Sequence, residues 1–213
     1  MKPPYWDDAT RELGRRDRVL KRLVRQYPGI HLKRRADPFT TLARAIVSQQ
    51  ISVAAAEAIW KRFVVAAGAV PRQGFPRLVA ANVAVLPSTA LRECGLSQRK
   101  AEYLTDLAAH FASGRLDPRS WKKLDDEGLI AALVDVKGIG RWTAEMFLIF
   151  HELRPDVFPV ADLGLQRAMS THYRNGRAFK PRAMIAHAEA WRPWRSVATW
   201  YLWRSLDPIP VEY

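Results

Sequence analysis

The chain is poor in cysteine: Cys94 is the only one among 213 residues. A single cysteine excludes an internal disulfide and cannot supply the four thiolates of an iron–sulfur cluster. The five histidines have no metal-ligand spacing, so we expect no catalytic metal. No apolar run is long enough to span a bilayer, and the N-terminus lacks the apolar stretch of a signal peptide, so we expect a soluble cytoplasmic protein.

Acidic residues are few beside basic ones, 21 against 34, and the net charge is +13. Such an excess favours a polyanionic partner through phosphate contacts and the release of counterions. On charge alone, a nucleic-acid partner and a generic basic surface explain the composition equally well. The segment Arg11–Arg35 is dense in arginine and lysine but keeps an apolar helical face, which predicts a docked amphipathic helix with a minor share in DNA contact.

Strand signals are also missing, because no long alternation of apolar and polar residues occurs and there is no Asn-Gly or Asp-Gly turn. Apolar residues instead recur with the helical period after Asp37, Ser52 and Ser97, which are candidate N-caps. The fold class is therefore predicted to be all-α. The remaining predicted helices are Phe75–Ala81, Ser88–Cys94, Asp125–Val136, Arg141–Leu153, Asp162–Tyr173, Pro181–Trp191 and Arg195–Leu206.

The most informative stretch runs from Leu133 to Gly164 and reads LVDVKGIGRWTAEMFLIFHELRPDVFPVADLG. A helix-period segment stops at a Gly-Ile-Gly turn, a second one begins at once, and a loop then delivers one carboxylate, Asp162. This order is typical of a helix-hairpin-helix, whose turn exposes backbone N–H groups to a phosphate. Glycines such as Gly138 and Gly140 allow a positive φ and the close approach of another backbone.

These residues carry a family resemblance. VKGIGRWTAEMFLIF followed by DVFPVADLGLQR resembles the helix-hairpin-helix and Gly/Pro-rich loop with aspartate of the base-excision DNA glycosylases. PFTTLARAIVSQQIS upstream and PWRSVATWYLWRSLD near the C-terminus fit the same pattern, so the resemblance covers about Asp37–Asp207. Within this family, the sequence is most similar to the alkylation-repair branch, the 3-methyladenine DNA glycosylase II type. It resembles the compact form of that type, which lacks an N-terminal α/β domain.

The resemblance also implies a domain organisation. It predicts two helical lobes with a cleft between them. One lobe would combine residues 1–36 with 162–213, and the other, residues 37–161, would carry the helix-hairpin-helix at about 125–153.

The resemblance makes Asp162 the catalytic residue. Hydrolysis of an N-glycosidic bond passes through an oxocarbenium-like sugar, which a fixed negative charge beside C1′ stabilises. As a pattern alone, Asp162 is explained more simply as the N-cap of the following helix, and the two roles are compatible. Glu145 is better explained as an i,i+4 partner of Arg141 than as a general acid. A single carboxylate suits glycosidic bonds that alkylation has already weakened.

Residue 142 indicates the subtype. Resembling enzymes that also cut the sugar–phosphate backbone place a lysine there to form a Schiff base. Trp142 has no such amine, so we expect hydrolysis without an AP-lyase step. A cationic alkylated purine flipped out of the duplex would stack on aromatic faces. By similarity the base pocket consists of Trp142, Trp203, Met146 and Leu163, the last two standing where the related branch has tyrosines, while Trp191, Trp194 and Trp200 are expected in the core.

The remaining expectations concern DNA and ions. The hairpin would grip the backbone, and the resemblance implies a Na⁺ or K⁺ on the backbone carbonyls of Val134, Val136 and Ile139. The loop that begins at Leu96 matches the family's wedge loop, although a capping turn and a polar helix end explain these side chains as well. The DNA-contact residues implied are Gly138, Ile139, Gly140, Thr143, Gln49, Gln50, Ser97 and Gln98.

Together these features predict a monofunctional DNA glycosylase of base excision repair. It would act as a monomer in the cytoplasm, associated with the nucleoid through DNA, and would flip and hydrolytically excise alkylated purines of the 3-methyladenine type from damaged double-stranded DNA. Two alternatives stay open. Because Met146 and Leu163 replace the tyrosines of the related branch, the protein could be a glycosylase for a different damaged base. The sequence does not rank 3-methyladenine against 7-methylguanine, hypoxanthine or ethenoadenine as the substrate. The second alternative is a non-catalytic helix-hairpin-helix module that binds DNA. Asp162 argues against it, because DNA binding alone does not require a carboxylate that faces the sugar.

Overall fold

The computed structural model describes residues 2–34, 36–72 and 75–206. Within them α-helices dominate, which confirms the all-α prediction, and the strands form one antiparallel ribbon, β1 (Val70–Arg72) and β2 (Phe75–Arg77). The helices are α1 (Trp6–Arg16), α2 (Arg18–Gln26), α3 (Pro38–Ser48), α4 (Val53–Ala66), α5 (Ala80–Ala84), α6 (Ser88–Glu93), α7 (Gln98–Ala112), α8 (Asp126–Val134), α9 (Arg141–Phe150), α10 (Leu163–Arg174), α11 (Pro181–Ala188) and α12 (Arg195–Leu206).

Five helices begin at side-chain caps, and the sequence predicts all of these caps except Asp125. Asp37, Ser52, Ser97, Asp125 and Asp162 each accept a backbone N–H from the third residue of the helix that they precede. Each cap satisfies an amide that has no partner within the helix and stabilises the helix by about 1 kcal/mol. Local chemistry thus sets where α3, α4, α7, α8 and α10 begin.

The N-terminal basic segment forms two helices instead of the single predicted helix Arg11–Arg35. Asp17 separates them in an extended conformation, with φ −137° and ψ 120°, and caps α2 by accepting two of its backbone N–H groups. The second carboxylate oxygen of Asp17 accepts the Tyr173 hydroxyl at 2.9 Å and the Trp191 indole N–H at 3.0 Å. The break therefore follows from a tertiary contact that the helical period of the segment does not reveal.

The prediction of a helix at Phe75–Ala81 is wrong. These residues begin in β2, and the helix starts only at α5. Pro71 and Pro76 lie opposite each other in the ribbon. Proline has no backbone N–H, so neither residue can donate a hydrogen bond to its partner at this position. Just beyond the ribbon, the Leu78 amide donates to the hydroxyl of Thr40 at 2.9 Å, which ties this segment to α3.

The chain divides into two units. Unit 1 consists of the described parts of Met1–Arg34 and Leu148–Tyr213, and unit 2 is the described part of Arg35–Phe147. The predicted boundary differs, because it assigns residues 148–161 to the central lobe. In the structure this segment is tied to the start of α12: the Ser196 amide donates to the Pro155 carbonyl at 2.9 Å, and the Val157 amide donates to the Ser196 hydroxyl at 2.9 Å.

Each unit has its own apolar core. In unit 2, Trp121 is buried among edge-on aromatic rings. In unit 1, Trp191 and Trp200 are buried as predicted, whereas Trp194 is only half-buried. Among the residues that the structure describes, no helix combines the length and the apolar character needed to cross a bilayer.

Candidate active site

Asp162 lies at the end of the loop that leads into α10, and its side chain is half-buried. Its Oδ1 accepts the backbone N–H of Leu165 at 2.6 Å, and its own amide donates to the Pro159 carbonyl at 2.9 Å. The capping role that the sequence offers as the simpler explanation is thus present. A cap and a reacting group are compatible, because these bonds fix the carboxylate in one orientation.

A second donor reaches the same carboxylate from α12. The indole N–H of Trp203 donates to Oδ1 of Asp162 at 2.8 Å. The Trp203 ring stacks on Phe150, with ring centroids 5.6 Å apart and the planes at 12°. The sequence predicts Trp203 as a stacking surface for a base. In the structure its N–H edge holds Asp162, and one of its faces is covered by Phe150.

Gly164 leaves room for this arrangement. A Cβ at this position would lie 3.1 Å from Oδ1 of Asp162 and 3.4 Å from Nε1 of Trp203. Because these distances are shorter than or at the limit of ordinary van der Waals contact, a side chain here would displace the carboxylate or the indole. Sequence reasoning identifies neither Phe150 nor Gly164 as part of the site. The available signal is a glycine in the first turn of a helix, where its low helix propensity is a cost.

The loop before Asp162 is fastened at both ends. Upstream, Asp156 accepts two hydrogen bonds from Arg195, at 2.8 and 3.0 Å. Downstream, the side-chain amide of Gln166 donates to the Val160 carbonyl at 2.9 Å. A bidentate arginine–carboxylate pair restricts both partners, so the loop presents Asp162 in a fixed position. Sequence reasoning misses the pair of Asp156 and Arg195, because these residues lie 39 positions apart.

The four predicted base-pocket residues fall in different units. Leu163 and Trp203 belong to unit 1 with Asp162, and Leu163 is 78% exposed in the first turn of α10. Trp142 and Met146 belong to unit 2 and lie one turn apart on α9; Trp142 is 41% exposed and Met146 is buried. The structure shows a direct contact between Asp162 and Trp203.

The predicted hairpin occupies the turn between α8 and α9. Gly138 has a φ of +82°, and a Cβ at this position would collide with the Tyr103 ring, so glycine is required on both counts. Ile139 is buried, and its amide donates to the Val136 carbonyl at 3.1 Å. Gly140 is exposed and directly precedes α9, whose first amides have no partner within the helix. An exposed helix start of this kind suits an anion.

The carbonyls that the resemblance assigns to a cation lie in the same segment. Val134 ends α8, where backbone carbonyls carry partial negative charge. The Val136 carbonyl accepts one N–H, which leaves it a second lone pair for an ion. Partial negative charge and a free lone pair are what a monovalent cation requires of a ligand, so the carbonyls of Val134 and Val136 have the right chemical character for one. Among the described residues, no group of three or more His, Cys, Asp or Glu side chains is arranged to hold a metal.

The turn between α3 and α4 contacts the hairpin. The side-chain amide of Gln49 donates to the Gly138 carbonyl at 2.9 Å, so Gln49 supports the hairpin from within unit 2. Gln50 is exposed and has a φ of +55°. The same turn exposes Ile51 and Val53, the latter by 86%. Of the two glutamines, Gln50 is the one that the structure leaves facing solvent.

The predicted wedge loop has a capping role in the structure. Leu96 is 3% exposed, so its side chain cannot fill a vacated base stack in this conformation. Ser97 caps α7 by accepting the Lys100 amide at 3.3 Å, and Gln98 donates to Glu102 at 2.9 Å. The exposed groups that this loop can offer to DNA are therefore the side chains of Ser97 and Gln98.

Comparison with known proteins decides the family. Residues 43–196 match the HhH-GPD superfamily of base excision DNA repair proteins. The chain belongs to the HhH-GPD superfamily. DNA-3-methyladenine glycosylase 1 of Schizosaccharomyces pombe is 34% identical over 87% of this chain and 80% of that protein. A Bacillus subtilis DNA-3-methyladenine glycosylase is 30% identical over 92% of this chain, and the chain spans 66% of that relative's length.

Two solved structures of 3-methyladenine DNA glycosylases are similar to this chain in both fold and sequence. The crystal structure of a DNA-3-methyladenine glycosidase from Bacillus halodurans has a TM-score of 0.84 and 34% identity, covering 93% of this chain and 89% of that one. A Schizosaccharomyces pombe 3-methyladenine DNA glycosylase in complex with abasic DNA has a TM-score of 0.77 and 32% identity, covering 93% and 96%. The range matched to the family includes the hairpin and Asp162, and Trp203 lies C-terminal to it.

Proposed function

We propose that this protein is a DNA glycosylase that removes alkylated purines from damaged double-stranded DNA by hydrolysis. The observation that carries the proposal is the Asp162 carboxylate, held by the Leu165 amide and the Trp203 indole in a chain of the HhH-GPD family. The substrate class is supported by the relatives from Schizosaccharomyces pombe and Bacillus subtilis, both named DNA-3-methyladenine glycosylase.

Base release breaks the bond between C1′ and the base nitrogen of a flipped nucleotide. An N-alkylated purine is cationic, and the electron pair of this bond neutralises the base as it leaves. The sugar becomes oxocarbenium-like, and the negative charge of Asp162 would stabilise it. A water oxygen then bonds to C1′ and loses a proton, which leaves an abasic site. Because the alkylated base is already a good leaving group, one carboxylate is sufficient.

We infer that the reaction ends without cleavage of the strand. A lyase step needs an amine that forms a Schiff base with C1′. At the position where the resembling lyases carry that lysine, this chain has Trp142, whose indole nitrogen is not such a nucleophile. Borohydride added during turnover on methylated duplex DNA should therefore trap no covalent protein–DNA adduct. A trapped adduct would contradict the inference.

For the base, we infer that the side chains of Trp142, Met146, Leu163 and Trp203 contact the flipped purine. Indole faces attract a cationic purine more strongly than they attract a neutral one. The exposure of Trp142 and Leu163 leaves both side chains accessible to a ligand. Selectivity for a positively charged base would depend on the two tryptophans, because methionine and leucine contribute apolar contact and no π face.

For the backbone, we infer that the amides around Gly138 and Gly140 and the Thr143 hydroxyl bind a phosphate. A Na⁺ or K⁺ on the carbonyls of Val134, Val136 and Ile139 would stabilise the hairpin turn next to that phosphate. Gln50, Ser97 and Gln98 present exposed polar groups for further contacts with the duplex. No other cofactor is required by the proposed reaction.

The decisive test is Asp162→Asn. The asparagine oxygen can still accept the Leu165 amide and the Trp203 indole, so the cap is kept while the negative charge is lost. Losing an electrostatic stabiliser of a transition state costs roughly 100- to 1,000-fold in rate, so single-turnover release of methylated purines should fall by about that factor. The thermal midpoint and the affinity for an abasic duplex should stay close to the parent values.

Asp125→Asn is the matched control, because it makes the same change at the N-cap of α8. It should release bases at the parent rate. If Asp162→Asn also released them at the parent rate, the catalytic assignment of Asp162 would be wrong.

A second candidate function is a non-catalytic DNA-binding module, since capping alone accounts for the position of Asp162. This candidate predicts DNA binding without base release by either the parent or the Asp162→Asn protein. Duplexes that carry single 3-methyladenine, 7-methylguanine, hypoxanthine or ethenoadenine lesions would test the remaining alternative. Release of a neutral lesion in preference to the cationic ones would point to a glycosylase for another damaged base.

A further inference from the structure

One face of α7 carries four polar side chains that lie against the two segments of unit 2 to which the proposed function assigns DNA contacts. Lys100, Tyr103, Asp106 and His110 are spaced by three, three and four residues, which places them on the same side of the helix. Their neighbours Leu104 and Leu107 are in the core. The polar face is not simply a solvated one, because each of the four side chains contacts either the hairpin turn or the end of α3.

Asp106 and His110 hold the entry to the hairpin. A carboxylate oxygen of Asp106 accepts the backbone amide of Lys137 at 2.9 Å. The buried ring of His110 lies with Nδ1 2.8 Å from the Asp106 carbonyl and Nε2 3.1 Å from the Asp135 carboxylate. Both ring nitrogens therefore face acceptors. These contacts fix Asp135 and Lys137, the two residues on either side of Val136 at the start of the turn.

Tyr103 and Lys100 hold the other side of the turn. The Tyr103 ring lies against Gly138, so closely that a Cβ could not be accommodated there. Lys100 donates to the carbonyls of Val47 at 2.7 Å and Gln49 at 2.8 Å, and the Gln49 side chain in turn donates to the Gly138 carbonyl. The Lys100 ammonium is thus engaged by two carbonyls at the end of α3, and burial lowers its pKa. In a chain this basic, the sequence alone would suggest a phosphate contact for this lysine.

We propose that Asp106, together with Lys100, Tyr103 and His110, positions the hairpin turn and the end of α3 for binding to the DNA backbone. None of the four is proposed to touch DNA itself. The inference rests on the proposed function, because that function assigns the hairpin amides to a phosphate. A turn held in its binding geometry before DNA arrives loses less conformational entropy on binding, which favours affinity.

The test compares Asp106→Ala with Asp106→Asn. The alanine variant has no acceptor for the Lys137 amide, whereas the asparagine variant keeps one and loses only the charge. The probe is a fluorescent duplex with one tetrahydrofuran abasic site, titrated by anisotropy. Because the backbone around Lys137 would have to be ordered on binding, we expect about tenfold weaker binding for Asp106→Ala and binding within about threefold of the parent for Asp106→Asn.

Two further measurements separate positioning from general damage. Single-turnover base release at saturating protein should stay near the parent rate in both variants, because the chemistry at Asp162 is untouched. Glu93→Ala removes an exposed negative charge elsewhere in unit 2 and controls for electrostatic attraction of DNA. Unchanged binding by Asp106→Ala, or no recovery in Asp106→Asn, would overturn the proposal.

If Asp106→Ala does not fold, Tyr103→Leu provides the alternative test of the positioning role. It keeps an apolar side chain on the same face of α7 but removes the ring that lies against Gly138, so it should also weaken binding to the abasic duplex. Parental affinity in that variant would overturn the proposal. The outcome is separable from that of the proposed function: a parent protein that binds the duplex but releases no base refutes the glycosylase assignment, while the comparison at Asp106 still tests the positioning role.

Discussion

Trp203 offers a direct way to measure what the surroundings of Asp162 contribute to base release. Trp203→Phe removes the indole N–H that donates to Oδ1 at 2.8 Å and keeps an aromatic ring against Phe150. A hydrogen bond to a charged group contributes about 1.5–3 kcal/mol. If that bond holds Asp162 in the orientation that the oxocarbenium-like sugar requires, its loss slows base release by about 10- to 100-fold, since about 1.4 kcal/mol corresponds to a factor of ten.

The assay is single-turnover release of methylated purines from duplex DNA with protein in excess, so that binding does not limit the rate. Trp200→Phe is the matched control. Trp200 lies on the same helix and contacts Phe150 edge-on at 6.0 Å, but its buried indole N–H has no hydrogen-bond partner among the described residues. Trp200→Phe should therefore cost stability without costing rate. Equal rates for the two variants would refute the role assigned to the Trp203 hydrogen bond.

The other predictions concern stability and space. Burial alone would raise the pKa of Asp17, but the nearby His187 ring, 3.8 Å from Oδ2, and hydrogen bonds from the Leu20 amide, Trp191 and Tyr173 outweigh it and lower the pKa from 3.8 to about 2. The charged form therefore stabilises the fold above pH 3.8, by about 2 kcal/mol, and this contribution disappears as the pH falls to 2. Chemical denaturation should show Asp17→Asn less stable than the parent by about that amount at pH 7, with the gap closing near pH 2; a gap independent of pH would contradict this. Gly164→Ala should slow base release, because its Cβ would crowd Asp162 and Trp203. Gly14→Ala, in α1, is the control, because its Cβ meets only ordinary van der Waals contacts. It should raise the thermal midpoint and leave the rate of base release unchanged. Equal rates of base release in the two glycine variants would show that the Cβ at position 164 does not disturb Asp162.

Several features of the fold were accessible from the sequence because their causes are local. The caps at Asp37, Ser52, Ser97 and Asp162 can be identified from residue type and position, and so can the glycine turn at 138–140. The errors lie where a distant residue intervenes. Asp17 ends α1 in contact with Tyr173 and Trp191, far along the chain. Pro76, inside the predicted helix Phe75–Ala81, instead pairs with Pro71 across a ribbon.

In the candidate site, too, some residues can be identified from the sequence and others only from the structure. Asp162 is marked by its motif, and Trp142 by the lysine that it replaces in resembling enzymes, so both could be selected without coordinates. The Trp203 hydrogen bond to Asp162, the Phe150 ring behind the indole and the α7 residues behind the hairpin could not. Each of these is a contact between side chains or amides dozens of residues apart.

The amino-acid order by itself determined the helical class, the hairpin turn and the single carboxylate of this protein, because capping, glycine conformation and helical period act over a few residues. The tertiary structure alone decided which donors orient that carboxylate and which helix supports the turn. Hydrogen bonds and ring contacts depend on distances of a few ångströms between distant parts of the chain, and those distances exist only after packing.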